Sequence, residues 1–123
     1  MIEEEVVAML DLEALRGAIE GRDPDLLLGY YADDATLRVV YGGSDEGAAA
    51  FRLCGKGDIE RYLRVVFGQT TSGHVDVEVL EKDLAMYSEA CEYPDGTRVV
   101  VNTTLGLRNG KISHQLDIVE RSP

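Results

Sequence analysis

Thr97 to Glu120 reads T-R-V-V-V-N-T-T-L-G-L-R, then Asn109-Gly110, then K-I-S-H-Q-L-D-I-V-E. Asn-Gly between two alternating, β-branched runs is a strong hairpin signal, because a type I′ turn needs φ > 0 at both central residues. Two long antiparallel strands joined by a two-residue loop are expected. Such a loop sets Arg108 opposite Lys111, and the register then assigns every side chain to a face. Gly106 faces Ser113, Thr104 faces Gln115 and Asn102 faces Asp117. One face carries Val100, Asn102, Thr104, Gly106, Ser113, Gln115, Asp117 and Val119. The other carries Val101, Thr103, Leu105, Leu107, Ile112, His114, Leu116 and Ile118. A half-buried sheet with its polar face in water has this alternation, yet the polar row holds no Lys or Arg, the usual solvating residues.

Leu84 to Tyr93 supplies the preceding strand, with a turn at Pro94-Asp95-Gly96-Thr97. A two-residue loop at Asp95-Gly96 places Cys91 against Val100, Glu89 against Asn102 and Tyr87 against Thr104. Tyr87, Glu89 and Cys91 then share the polar face; a one-residue bulge at Gly96 would send them to the other. In the first case Glu89, Asn102 and Asp117 lie side by side. Neighbouring strands lie about 5 Å apart, which puts the two carboxylates about 10 Å apart at the backbone. Paired carboxylates on an enclosed face suit acid/base chemistry, since burial and mutual repulsion keep one protonated beside an ionised one. His74-Val75-Asp76-Val77-Glu78-Val79 alternates strictly. A two-residue loop at Glu81 to Asp83 brings His74 to the face of Glu89 and Asp117, and a three-residue loop takes it away.

The 123 residues suffice for one domain over the whole chain, with about two thirds of the unfolded surface buried. With 12 basic and 23 acidic residues the net charge is −11, which disfavours nucleic acid and anionic membrane surfaces as partners. No apolar run approaches the roughly 20 residues that span a bilayer. The M-I-E-E-E start lacks the basic region of a signal peptide. Cys54 and Cys91 make no disulfide framework or metal spacing, so buried thiols in a reduced, cytoplasmic protein are expected. Two histidines on different strands form no metal-ligand set.

Glu3 to Gly21 has apolar residues at helical spacing, with acidic residues in the first turn, where the helix dipole favours them. Asp23 is a candidate N-cap and Pro24 a first helical residue for a second helix reaching about Tyr31. Ala35 to Tyr41 reads as a strand, Gly42 to Gly47 as a loop and candidate flap, and Ala48 to Cys54 as a short strand. Gly57 or Asp58 opens a third helix through Ile59, Tyr62, Leu63, Val66 and Phe67. The order is helix, helix, strand, strand, helix and four antiparallel strands, an α+β plan with helices on one face of a curved sheet.

Three stretches now carry a family resemblance: Gly21-Arg22-Asp23-Pro24 through Tyr30-Tyr31-Ala32-Asp33-Asp34-Ala35-Thr36-Leu37; Cys54-Gly55-Lys56-Gly57-Asp58-Ile59-Glu60; and Leu107-Arg108-Asn109-Gly110-Lys111-Ile112 followed by Asp117. Together they resemble the NTF2-like (cystatin-like) superfamily and its SnoaL-like polyketide cyclase group. The resemblance implies a cone with a curved, mixed but mainly antiparallel sheet, whose concave, helix-covered face is the pocket. Asp117 resembles the acid/base aspartate of SnoaL-like cyclases and limonene epoxide hydrolase. The His that often stands two residues before it is here Gln115. Ketosteroid isomerases of this fold carry a Tyr, an Asp base and an oxyanion-hole Asp at positions aligned with Leu15, Val39 and Thr104. The Arg and second Asp of the epoxide hydrolases align near Asn102 and Thr104.

One fold hosts many activities, and two readings follow. The first is a cofactor-free enzyme of isomerase, cyclase or hydrolase type acting on a small, largely apolar carbonyl compound. Asp117 is its acid or base and Glu89 its partner, while Asn102, Thr104, Gln115 and Tyr87 bind substrate, with His74 nearby. The second is a non-catalytic ligand-binding or dimerisation module, with Asp117 and Asn102 as a structural cross-strand pair. The apolar reverse face, with Val101, Leu105, Leu107, Ile112, Leu116 and Ile118 joined by Val75, Val77, Val79 and Met86, implies a homodimer through the outer sheet.

Overall fold

The structure is a computed structural model that describes residues 10–42, 51–70 and 72–121. The expected helix from Glu3, the candidate flap and the start of the second strand therefore fall partly or wholly outside the described residues.

Helix α1, Leu12–Glu20, begins where Asp11 accepts the Ala14 amide at 3.1 Å. That cap satisfies one of the N–H groups a helix start leaves unpaired. Leu12, Leu15, Ala18 and Ile19 form its buried stripe. Gly21 ends it, and Arg22, in the left-handed region at φ 55°, reverses the chain. Asp23 caps α2, Pro24–Leu28, with Pro24 in the first turn. Helix α3, Lys56–Gln69, follows Gly55, whose φ of +89° suits a residue without Cβ, and buries Ile59 and Leu63.

Six strands form one sheet: β1 Tyr31–Tyr41, β2 Phe51–Cys54, β3 Ser72–Leu80, β4 Leu84–Glu92, β5 Arg98–Arg108 and β6 Lys111–Arg121. Their order is β2-β1-β6-β5-β4-β3, with every pair antiparallel except β1 with β6. The sheet is curved and the plan is α+β, as expected. Leu15, Leu37, Val39, Ile59, Val75, Leu105 and Ile112 fill the space between helices and sheet, all essentially without exposure.

The Asn109-Gly110 turn is as expected, with φ of 54° and 76°. Arg108 pairs with Lys111 and Leu107 with Ile112, but Gly106 pairs with His114. Ser113 is an extra residue on β6, its hydroxyl donating to the Gly106 carbonyl at 3.2 Å. A bulge of this kind shifts all later pairs by one, so Asp117 lies opposite Thr103 and Asn102 opposite Ile118.

A second offset occurs at the other end of β5. Pro94-Asp95-Gly96 forms a three-residue connection closed by the Tyr93 amide on the Thr97 carbonyl at 2.9 Å, with Gly96 at φ +87°. Glu92 thus pairs with Arg98, Glu89 with Val101 and Tyr87 with Thr103. The two shifts cancel between β4 and β6, which keep their expected faces. Of these three strands β5 is the one inverted along its length, and on β6 only Ile112, before the bulge, turns with it.

The expected apolar reverse face is corrected accordingly. Val75, Leu105, Leu107 and Ile112 belong to the core, and Val101 lines the concave side. Leu116 and Ile118 remain outside, half-buried, beside Met86, Val100 and Val40. Cys91 is buried, whereas Cys54, expected inside, is exposed.

Neighbouring lysine substitutions test the inverted strand. Asn102 is exposed and Thr103 is 3 % exposed. Asn102→Lys, compared at a dilution at which the chain is monomeric, should change unfolding free energy by no more than about 0.5 kcal/mol. Thr103→Lys, which buries a charge, should cost several times that, on the order of 3 kcal/mol or more. Urea titration of both variants checks it, and the reverse ranking would restore the unshifted register.

Candidate functional site

Between the helices and the concave face lies a cavity of about 270 Å³. Thr103, Gln115 and Asp117 come from β5 and β6, Tyr87, Glu89 and Cys91 from β4, and Tyr31 from β1. Ile19, Leu27, Tyr62, Leu63 and Phe67 supply the apolar helix side. A second depression, of about 430 Å³, shares Tyr41, Tyr93, Val99 and Val119 with the first and lies at its mouth. Tyr41, Phe51 and Tyr62 continue one another there, with ring centroids 6.5 and 5.7 Å apart.

Asp117 is the most enclosed acid of the site, 6 % exposed. Its Oδ1 accepts from Thr103 Oγ1 at 2.8 Å and from Gln115 Nε2 at 2.9 Å. Gln115 Oε1 in turn accepts a hydrogen bond from the Tyr31 hydroxyl. Among the described residues both side-chain hydrogen bonds to this carboxylate end on Oδ1. Two strands away, Glu89 accepts from Arg22 Nη1 at 3.2 Å.

No protein-family model matches the sequence, and no curated protein does. Solved structures do match. An NTF-2 like protein of unknown function from Burkholderia xenovorans LB400 superposes with a TM-score of 0.72 at 22 % identity, over 91 % of this chain and 81 % of that one. A protein with a ketosteroid isomerase-like fold from Catenulispora acidiphila DSM 44928, in complex with trimethylamine, gives 0.63 at 19 %, over 86 % and 82 %. An LEH-like epoxide hydrolase from M. tuberculosis gives 0.61 at 18 %, over 88 % and 78 %. The chain has the NTF2-like fold.

Within that fold, the expected site residues divide. Asp117, Glu89, Gln115 and Tyr87 all reach the cavity. Asn102 and Thr104 do not: the inverted β5 turns them to the outer face and presents Thr103 instead. His74 does not either. Val75 is the buried residue opposite Glu89, while His74 is exposed, 3.1 Å from Asp76 and 3.5 Å from Glu20. Leu15 and Val39, aligned with the isomerase Tyr and base, are core residues, and Val39 stands beside Asp117 on β1.

Sequence reading missed Thr103, Tyr31, Tyr62 and Arg22. Tyr31 and Arg22 lie in the first stretch that carries the family resemblance, Tyr62 read as one more apolar helix position, and Thr103 had no signal because its face depended on two offsets. Among the described residues no group of His, Cys, Asp and Glu is arranged to hold a metal ion.

The electrostatics follow from enclosure. Burial pushes Asp117 up to about 6; the Gln115 and Thr103 hydrogen bonds pull it down, and the Glu89 charge adds to the rise. Glu89 is also raised by burial, with Cys91 and Arg22 drawing it back. Burial holds the Tyr31, Tyr62 and Tyr87 hydroxyls protonated, Tyr31 and Tyr87 well above the ordinary tyrosine range. Burial likewise pushes the Cys91 thiol up to about 12, so it stays a thiol. The site thus offers neutral hydroxyl and amide donors around one acid that titrates near neutrality.

A carboxyl whose folded-state value exceeds its unfolded one stabilises the fold when protonated, and loses that contribution as pH rises through the folded value. From an ordinary 3.8 to about 6, the effect for Asp117 is at most roughly 3 kcal/mol. Asp117→Asn should therefore gain stability relative to the parent between pH 4 and pH 7.5. Paired denaturant titrations check it, and a pH-independent difference would show that Asp117 titrates normally.

Proposed function

We propose that this chain is a cofactor-free acid/base enzyme, of isomerase, cyclase or hydrolase type, acting on a small, largely apolar carbonyl compound. The observation that carries the reading is Asp117, enclosed on the cavity floor, raised to about 6 and ringed by protonated donors. Acid/base catalysis is most efficient when the group titrates near the working pH. Abstraction of a proton α to a carbonyl needs a positioned carboxylate and donors for the developing oxyanion. Asp117 takes the first role. Thr103 and Gln115, the latter held by Tyr31, orient that carboxylate, Tyr87 and Tyr62 bring protonated hydroxyls to the cavity for the oxyanion, and Glu89 sets the field. The LEH-like epoxide hydrolase and the ketosteroid isomerase-like fold among similar structures support a small-molecule activity.

The test needs no knowledge of the product. In D2O the protein should speed deuterium uptake α to the carbonyl of small apolar ketones, followed by NMR. Asp117→Asn should slow it by roughly 100-fold or more. As a base, Asp117 makes kcat/KM rise with pH through about 6; as an acid, it makes kcat/KM fall. Equal rates for parent and variant across a panel of ketones and epoxides would sink the reading.

The two donors on Asp117 Oδ1 favour one alternative, a non-catalytic ligand-binding module in which Asp117 is a structural acceptor. Saturable binding of apolar ketones without exchange is its signature. Pairing of two copies through the outer sheet belongs to the same proposal, on the narrower apolar set of Val40, Met86, Val100, Leu116 and Ile118. Sedimentation equilibrium should give twice the 13.5 kDa chain mass, and a monomer would end that part of it. Two cysteines without a disulfide between them support a reduced, cytoplasmic setting.

A further inference from the structure

Arg22 plays no part in the donor network, yet three features hold it in place. Its backbone adopts φ 55° between two helix ends, fixed by its amide on the Ile19 carbonyl at 3.1 Å and the Asp23 amide on Ala18 at 3.0 Å. Its guanidinium carbon lies 4.6 Å from the Phe67 ring centroid, within cation–π range. Its Nη1 donates to the Ile19 carbonyl at 3.4 Å and to Glu89 Oε2 at 3.2 Å. The opposite strand leaves room for the pair: a Cβ at Gly73 would stand 2.7 Å from Arg22 Nη1 and 2.9 Å from Glu89 Oε2. Both side chains of the pair are about 15 % exposed.

A buried ion pair is weak ground for stability, because desolvation offsets much of the Coulomb gain. This one also leaves Arg22 Nε and Nη2 buried without a protein partner among the described residues. Its consequence lies in charge. Two carboxylates border one cavity and one cation touches one of them.

We propose that Arg22 is a positioning residue that sets the order of ionisation: paired to it, Glu89 loses its proton first, and the resulting anion keeps the proton on Asp117. Every group facing the pair enters this account. Glu89 meets Arg22 from the α1–α2 turn, Glu20 from the end of α1 and Cys91 on its own strand. Asp117 meets Glu89 across β5, and Thr103 and Gln115 by hydrogen bond; its charge acts in turn on Tyr31, Tyr62 and Tyr87. Glu20 is occupied by the Val75 amide at 2.8 Å, with Arg16 and His74 beside it. Arg22 is thus the cation in contact with Glu89, and it acts on Asp117 only through it. The effect on turnover rests on Asp117 being the acid or base proposed above; the order of ionisation does not.

The sign of one shift decides it. A cation acting directly on Asp117 would, when removed, raise the Asp117 midpoint. Acting through Glu89, its removal leaves Glu89 protonated and lowers that midpoint. Carboxyl 13C NMR titrations of Asp- and Glu-labelled protein read both groups without substrate, with Asp117→Asn and Glu89→Gln assigning the signals. In Arg22→Gln the Asp117 midpoint should fall below about 6 by the share that the Glu89 charge adds to burial, and Glu89 should become the later of the two to ionise. Arg22→Lys should keep the parent order. Glu89→Gln should lower Asp117 alone, and adding Arg22→Gln to it should lower Asp117 no further. An Asp117 midpoint that stays or rises in Arg22→Gln overturns the proposal. If that variant does not fold, an unmoved Asp117 in Glu89→Gln overturns it equally. Parent order intact with no turnover on any ketone or epoxide counts against the proposed function and leaves this inference standing.

Discussion

A carboxylate closed away from water is the constraint to which the other parts of this structure answer. Asp117 is 6 % exposed on the floor of a cavity roofed by apolar helix residues. A buried carboxylate without partners would cost several kcal/mol as an anion and would stay neutral over most of the pH range. Two donors on Oδ1 keep it from that extreme. Burial with partial compensation is what leaves it titrating near neutrality rather than at either end.

Gln115 reaches Asp117 from two residues away on the same strand, whereas the Thr103 donor is there because β5 is inverted relative to a regular meander. Gly96, at positive φ, lets the β4–β5 connection take three residues, and Ser113 adds one residue to β6. Either offset alone would disrupt the shared face: it would put β4 or β6 out of phase with the others. Together they leave Glu89 and Asp117 facing the same cavity and exchange Asn102 for Thr103 between them. A threonine hydroxyl is short enough to meet the neighbouring carboxylate across an antiparallel pair. Glycine at 73 has a similar spatial reason, since the Arg22–Glu89 pair occupies the volume its side chain would need.

How far the sequence could be read follows from these particulars. Helix ends were legible where a chemical signal marks them: Asp23 before Pro24, Gly21 after the α1 stripe, Asn109-Gly110 in the hairpin. Alternation identified the strands, and the faces of β4 and β6 came out right because two errors of one residue cancelled. The face of β5 was not legible, since side-chain alternation has a period of two and a single bulge inverts it. Nothing in Ser113 announces a bulge, as serine fits a strand edge or a strand interior equally. His74 failed for the same reason: the β3–β4 connection is the two-residue loop that would bring it in, closed by the Glu81 amide on the Leu84 carbonyl, but an offset within β3, between Val77 and Val79, turns it away. Arg22 was hidden differently: a lone arginine between two helices reads as a solvated charge until the tertiary structure brings Glu89, 67 residues away in sequence, to its guanidinium.

Charge balance then limits what the cavity can accept. Among the described residues its border carries Glu89 with its Arg22 partner and Asp117 with no cation beside it, so ionisation of Asp117 adds an unpaired negative charge to the enclosed space. An anionic ligand would meet a carboxylate in the low-dielectric interior, where Arg22 is already paired with Glu89. A cationic ligand would pair with ionised Asp117 and take from it the basicity that proton abstraction needs. A neutral, mostly apolar molecule with one polar oxygen avoids both penalties: its body meets Ile19, Leu27, Leu63 and Phe67, and its oxygen meets the protonated tyrosines. The carbonyl class in the proposed function is therefore favoured by the wall as well as by the acid.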